Sequence, residues 1–497
     1  MKTIKQWVGG EYYEGSPLGA IPVENPATGE IIAELLQASQ EDLNHTVEVA
    51  RQAQNKWASY SLAKRVAIMF RMRQLVLDNQ DEMARLIVEE HGKNYSDAIG
   101  EIQRGRETLD FATAINVALK GEYSHDVSTG GDIHTTRQPV GVVAGVCPFN
   151  FPAMVPMWMH PLAIATGNAF ILKPASPTPS ASLLTAELYK EAGLPDGVFN
   201  VLSGDRRSVQ DILIHPGIDA ISFVGSTPVA HIVQDTGVSR GKRVQALGGA
   251  NNHAIVMPDC DLDFAAEHIS ASAFGAAGER CMALPVVVAV GAVVRNWLRR
   301  SSSMPRPSRS VRAWVRVSRW GPSSLPGPRL VSSTSSMTPR SVGRRSSLMA
   351  ADSLFPATRT GTSLGRQSLT TSHSMPPVYT EEVFGPVLAV VHADTYDEAL
   401  KIVNAQPFGN GSAIFTNDGG IARRFTLDVE AGMVGVNVPI PTPVAFYSFG
   451  GWKESLLGDT HIHGPEGVNF YTRAKAITER WLTEKTYAAT MSFQREE

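Results

Sequence analysis

From Val140 onward, short apolar runs alternate with helical stretches, and that alternation limits the fold more than any other feature of the chain. "VGVVAGVCPF" and "NAFILKP" read as strands, "SASLLTAELYKEAGLP" as a helix stopped by Gly193 and Pro195, and "FNVLSG" as another strand. "DAISFVGSTPVAHIVQDTG" reads as strand, tight turn and helix. Repeated βαβ units at this spacing predict a parallel, doubly wound α/β sheet that binds a nucleotide at the carboxyl ends of its strands. The usual GxGxxG fingerprint is absent. Upstream, residues 39–119 are helical in pattern, opening with Ser39 and an acid three residues later at Asp42, a capping-box signature. Downstream, "GVNFYTRAKAITERW" at 467–481 alternates like an exposed strand suited to reaching a partner subunit.

The 497 residues suit about three domains. Lys2 and Lys5 have no apolar segment behind them, and no run approaches the roughly 18 apolar residues of a membrane span. The expectation is a soluble, cytoplasmic protein with no membrane partner. Its cysteines, Cys147, Cys260 and Cys281, are far apart, with no CxxC and no His/Cys clustering at zinc spacing. Free thiols and no metal site are expected.

Charge is distributed unevenly. The chain carries a formal −3, yet residues 292–375 hold fourteen Arg, no Lys, no Glu and one acid, Asp352, which leaves the remainder at 31 bases against 47 acids. Such a block would ordinarily suggest a nucleic-acid tail, but it lacks lysine and an aromatic ladder and sits mid-chain. No nucleic-acid partner is expected. The block has no traceable helical or strand period and begins and ends abruptly between ordinary folded sequence. A reading frame shifted near Ala292 and restored near Met375 accounts for this; a natural disordered insert is the alternative. Either way, an extended, poorly packed segment is expected there.

Cys281 lies in "GAAGERCMALP" (275–285). A cysteine among small residues is often a buried small hydrophobe. A neighbouring cation, Arg280, and small residues that leave an approach path suit a reactive thiolate equally well.

Motifs elsewhere favour the second reading. "PFNFP" (148–152), "LKPAS" (172–176), "FVGST" (223–227), "LGG" (247–249), "GERC" (278–281), "EEVFGP" (381–386) and "GMVGVN" (432–437) occur together and in order. With these the chain resembles the NAD(P)-dependent aldehyde dehydrogenases. The resemblance implies a Rossmann-like NAD-binding domain from 1–120 and 141–248, and a catalytic domain at 249–445 that contains the aberrant 292–375. It also implies a small β oligomerisation arm from 121–140 and 465–485, and a homotetramer. Cys281 would be the nucleophile, and the Asn150 amide would form the oxyanion hole with the backbone N–H of Cys281. Phe149, Lys173, Ser176, Gly225, Ser226, Glu382 and Phe384 would bind NAD. Each has a blander reading alone: a turn residue for Asn150, a solvated lysine for Lys173, an ordinary N-cap for Ser226.

Hydrolytic members of that family carry a water-activating Glu at the head of "ELGGK". Here the stretch is "QALGGANN", which aligns Ala246 with that Glu. Water is a poor nucleophile without a base, whereas a thiol near pKa 8.5 is already partly thiolate at neutral pH, so coenzyme A is the expected co-substrate. "RCMAL", "NHAIVMPD", "GMVGVNVPIP" and "GDTHIHGPEGVNFYT" resemble the CoA-acylating methylmalonate-semialdehyde dehydrogenases of valine and inositol catabolism. In that subgroup two arginines grip the small-molecule substrate's carboxylate, and they map to Arg104 and Arg280. Arg106 is the nearby alternative, but Asp110 at i+4 gives it a helix partner. Glu279 departs from the subgroup's Gln. Hydrolysis to free acid, with Glu279 or Glu382 as base, is the competing reaction; an inactive product of the damaged segment is the third possibility.

Overall fold

A computed structural model describes residues 2–128, 130–293 and 381–481, together with the backbone of 314–319 and 330–331. Most of the 292–375 segment, and with it the frameshift expectation, lies outside the described residues.

The larger sheet has eight strands. Its parallel centre runs Arg243–Leu247, Ala220–Val224, Val142–Val146, Ala169–Lys173 and Phe199–Val201, with Gln6–Val8, Glu11–Tyr13 and Leu456–Leu457 added antiparallel at the edges. The chain starts in the middle at Val142–Val146, adds two strands on one side, then crosses to add two on the other. That reversal of strand order opens a crevice at the strands' carboxyl ends. Val142–Val146 and Ala169–Lys173 are buried throughout, as expected where helices cover both faces. The predicted capping box forms: Ser39 Oγ accepts from Asp42 N and Asp42 Oδ2 from Ser39 N, opening the helix Gln40–Trp57. The helices Leu62–Asp78, Gln80–His91 and Tyr95–Thr113 complete the predicted helical stretch.

Among the described residues the second sheet has seven strands, in the order Leu330–Val331, Trp314–Arg319, Val387–Ala393, Val286–Val290, His253–Val256, Gly411–Phe415 and Met433–Val436. All its pairs are parallel except the first. Within 292–375 the backbone of Trp314–Arg319 is extended and pairs in parallel with the strand Val387–Ala393, from Val387 to His392. An open sheet edge recruits strands through backbone hydrogen bonds, which make little demand on composition.

A three-stranded sheet of Tyr123–Ser128, Gly131–Pro139 and Thr472–Arg480 forms the arm. Its last strand begins at Thr472. The residues before it, expected to be strand, form the helix Gly464–Phe470, because Val468 and Phe470 are buried in the main core. Residues 482–485 lie outside the described residues. Among the described residues no helix is long and apolar enough to cross a membrane.

Candidate active site

Cys281 sits just before the strand Val286–Val290, on the amino-terminal side of that strand in the second sheet. Two asparagines that open neighbouring strands hold it. Asn252 Nδ2 and Asn410 Nδ2 donate to Cys281 O at 2.9 and 3.0 Å, and Asn252 Oδ1 accepts from Gly411 N. The turn before it is left-handed at three successive residues, Ala276 (φ 50°), Ala277 (φ 57°) and Gly278 (φ 75°). Left-handed alanines are strained by about 1–2 kcal/mol each, so contacts around the turn must hold it in place.

Asn150 lies beside this turn. It is 4% exposed, and its Nδ2 donates to Glu279 O at 2.9 Å. Its backbone is held by a residue that sequence reasoning missed: Lys93 Nζ donates to Asn150 O at 2.7 Å and to Glu101 Oε2 at 2.6 Å. Phe149 stands between His91 (ring centroids 6.0 Å apart) and Phe384 (6.3 Å, edge-on). His91 Nε2 lies 4.0 Å from Glu279 Oε2. Nothing local in "EEHGKNYSD" announced His91 or Lys93 as site residues.

The two arginines are held on one helix. Arg280 Nη2 donates to Asp97 Oδ1 at 2.9 Å, in the first turn of Tyr95–Thr113. Arg104 follows Asp97 by seven residues, which is two turns further along the same face. It donates to Glu107 Oε1 at 2.7 Å and to Thr442 O at 2.8 Å. Arg106 has the helix partner expected of it, with Nε 3.9 Å from Asp110 Oδ2.

Burial dominates the electrostatics. It pushes the Cys281 thiol up to about 12; Glu382 adds to the rise, while backbone N–H groups of Cys281 and Met282 and the Arg280 charge oppose it. Burial also raises the Glu382 carboxyl to about 7, against the pull of Ala250 N donating to it at 3.0 Å. Glu279 is likewise raised to about 7 by burial, with Lys93 pulling the other way.

Ala246, which aligns with the water-activating Glu of the family, lies buried in the strand Arg243–Leu247. Along Arg243–Leu247, Ala246 joins Val244 in one hydrophobic cluster, whereas Leu247 belongs to the cluster against which Cys281 packs. Strand residues alternate faces, so the two side chains lie on opposite faces of the sheet. Neither position holds a carboxylate.

Of the residues expected to bind NAD, Phe149, Lys173, Ser176, Gly225 and Ser226 lie at or just beyond the carboxyl ends of strands of the first sheet. Lys173 ends its strand, is 7% exposed, donates to Pro174 O, and has its ammonium lowered to about 8 by burial. Ser176 donates to Gly204 O. Gly225 and Ser226 precede the thirteen-residue helix Thr227–Ser239, whose N-terminus receives no hydrogen bond from the Ser226 side chain. The backbone N–H groups of such a helix N-terminus suit a pyrophosphate, the part of NAD it would hold. Cys147, Cys260 and Cys281 are all free thiols. Among the described residues no group of His, Cys, Asp and Glu suited to a metal is present.

A family model described as the aldehyde dehydrogenase family matches residues 12–477. The malonate-semialdehyde dehydrogenase of Pseudomonas aeruginosa is 44% identical over 492 residues, covering 98% of each chain. One from Geobacillus kaustophilus is 41% identical, covering 97% of this chain and 99% of its own. Among solved structures, a methylmalonate-semialdehyde dehydrogenase from Oceanimonas doudoroffii matches with a TM-score of 0.84 at 41% identity, covering 97% of this chain and 99% of that one. A Sinorhizobium meliloti protein assigned the same activity and complexed with NAD matches at a TM-score of 0.85 and 40% identity, with the same coverage.

Proposed function

The chain belongs to the aldehyde dehydrogenase family, and we propose that it converts malonate or methylmalonate semialdehyde, NAD⁺ and coenzyme A to acetyl-CoA or propionyl-CoA, CO₂ and NADH. Support for the substrate comes from the relatives' activities and from two guanidinium groups: Arg280 beside Cys281, and Arg104 on the helix whose first turn holds Arg280 through Asp97. NAD, when bound, accepts the hydride. Cys281 attacks the aldehyde carbon, and the Asn150 amide with the Cys281 N–H stabilises the oxyanion; losing one such donor typically slows the reaction about 10²–10³-fold. Arg104 and Arg280 hold the substrate carboxylate through charge-assisted hydrogen bonds. That carboxylate is β to the acyl carbonyl, so the same oxyanion donors stabilise the enolate as CO₂ leaves. The exposed strand Tyr123–Ser128 and its arm suit assembly as a homotetramer.

The observation that carries the CoA-dependent reading is Ala246, which aligns with the water-activating Glu of "ELGGK" and supplies no carboxylate. Product analysis with and without coenzyme A tests it. Without CoA, NADH should stop near one equivalent per active site, and Cys281→Ala should form none while still binding NAD⁺. Sustained turnover in CoA-free buffer would overturn it.

One observation favours the hydrolytic alternative. Glu279, beside the nucleophile's loop, has a carboxyl raised to about 7 by burial, a value suited to a general base near neutral pH. Steady free-acid formation abolished by Glu279→Gln would establish that route.

A further inference from the structure

Lys93 and Glu101 form an ion pair 2.6 Å long with both side chains fully shielded from water. Removing two charges from water is costly, and apolar replacements are often as stable or more so. Stability is therefore a weak reason for this pair to exist, and its geometry offers a better one. Lys93 Nζ also donates to Asn150 O at 2.7 Å and lies 4.5 Å from the Phe151 ring centroid. Glu101 Oε1 accepts from Ala153 N at 2.8 Å and Met154 N at 3.1 Å. That contact caps the helix Met154–Ala165, which has no side-chain cap of its own. The pair therefore grips both ends of the Asn150–Met154 segment. With the backbone of Asn150 held, its amide reaches Glu279 O at 2.9 Å, two residues before Cys281.

We infer that Lys93, paired with Glu101, is a positioning residue that aims the Asn150 amide at the nucleophile's loop. The inference rests on reading Asn150 as an oxyanion donor. Lys93→Met alone would leave Glu101 buried and unpaired, so the informative variant is Lys93→Met/Glu101→Gln. Its glutamine still accepts from Ala153 N and Met154 N, and no lone charge remains.

The experiment compares the NADH burst rate, with saturating malonate semialdehyde, in four full-length proteins: the parent, Lys93→Met/Glu101→Gln, Asn150→Ala, and all three changes together. Misplacing a catalytic group by about 1 Å costs up to about 10²-fold, so the double variant should slow the burst about 10- to 100-fold. Its NAD⁺ affinity and melting temperature should stay close to the parent's. The triple variant should be no slower than Asn150→Ala, because nothing is left to aim. Losses that multiply in the triple variant, an unchanged burst in the double variant, or a collapse of its melting temperature would each overturn the inference while leaving the role of Asn150 standing. A parent-like burst in Asn150→Ala would instead overturn the oxyanion reading and this inference with it.

Discussion

Arg280 is paired before any substrate arrives: its Nη2 donates to Asp97 Oδ1 at 2.9 Å. Asp97 is itself fixed by Asn94, whose Nδ2 donates to Asp97 Oδ2 at 2.8 Å. The guanidinium is thereby immobilised while Nη1 and Nε keep their donors. Arg carries about 2 kcal/mol of rotamer entropy, and part of that cost is met in advance. Asp97→Asn should raise KM for the carboxylate-bearing semialdehyde about three- to fivefold, the scale of a partly exposed pair, and leave KM for propanal unchanged. A lower KM in steady-state kinetics would show that Asp97 competes with the substrate instead.

Arg104 anchors to Thr442 O and Glu107 at the other end of the same helix face. Arg104→Leu should raise KM for the semialdehyde by the equivalent of about 1.5–3 kcal/mol, a charge-assisted contact, and spare propanal. Equal losses on both substrates would restrict Arg104 to holding the 437–447 loop.

Glu382 contributes to the high pKa of the Cys281 thiol. Because the Glu382 carboxyl ionises near 7, its effect should grow above that pH. Glu382→Gln should therefore speed iodoacetamide alkylation of Cys281 in the free enzyme, with the gap over the parent widening from pH 6.5 to 8.5. Equal rates across that range would remove Glu382 from the thiol's surroundings.

Glu279 has its carboxyl raised from an ordinary 4.5 to about 7 by burial. The fold thus prefers the protonated form. The stability this contributes is complete below pH 4.5 and is lost as pH rises through 7. Glu279→Gln cannot ionise, so between pH 4.5 and 7.5 its stability should fall less than the parent's, by on the order of 2 kcal/mol. Glu90 and Glu382 are raised in the same way and leave a residual slope. Parallel melting-temperature profiles would contradict the assignment.

Gly278 has φ 75°, and a Cβ added there would lie 2.2 Å from Gly385 O. Gly278→Ala combines a left-handed alanine with a backbone clash, for about 2–4 kcal/mol together. It should cut kcat sharply by shifting the turn that carries Cys281. Parent-like kcat with a parent-like denaturation midpoint would show that the turn relaxes without moving the thiol.

The amino-acid sequence by itself determined the parallel sheet, the Ser39 cap and the family, because each is written in local features: apolar periodicity, a side chain three residues from its backbone partner, or short motifs of required residue types. Tertiary structure alone decided what surrounds Cys281. Lys93 and Glu101 sit on a loop and a helix whose local sequence gives no sign of Asn150, 57 residues beyond Lys93. The Asp97–Arg280 contact spans 183 residues. Ala246 and Leu247 fall in different hydrophobic clusters because strand phase is set by packing on both sheet faces, which a motif alignment does not register. Even within the Arg- and Ser-rich block, whose composition promised no ordered strand, Trp314–Arg319 pairs with Val387–Ala393. Backbone hydrogen bonding at a sheet edge depends on the neighbouring strand being there, and that neighbour lies far along the chain.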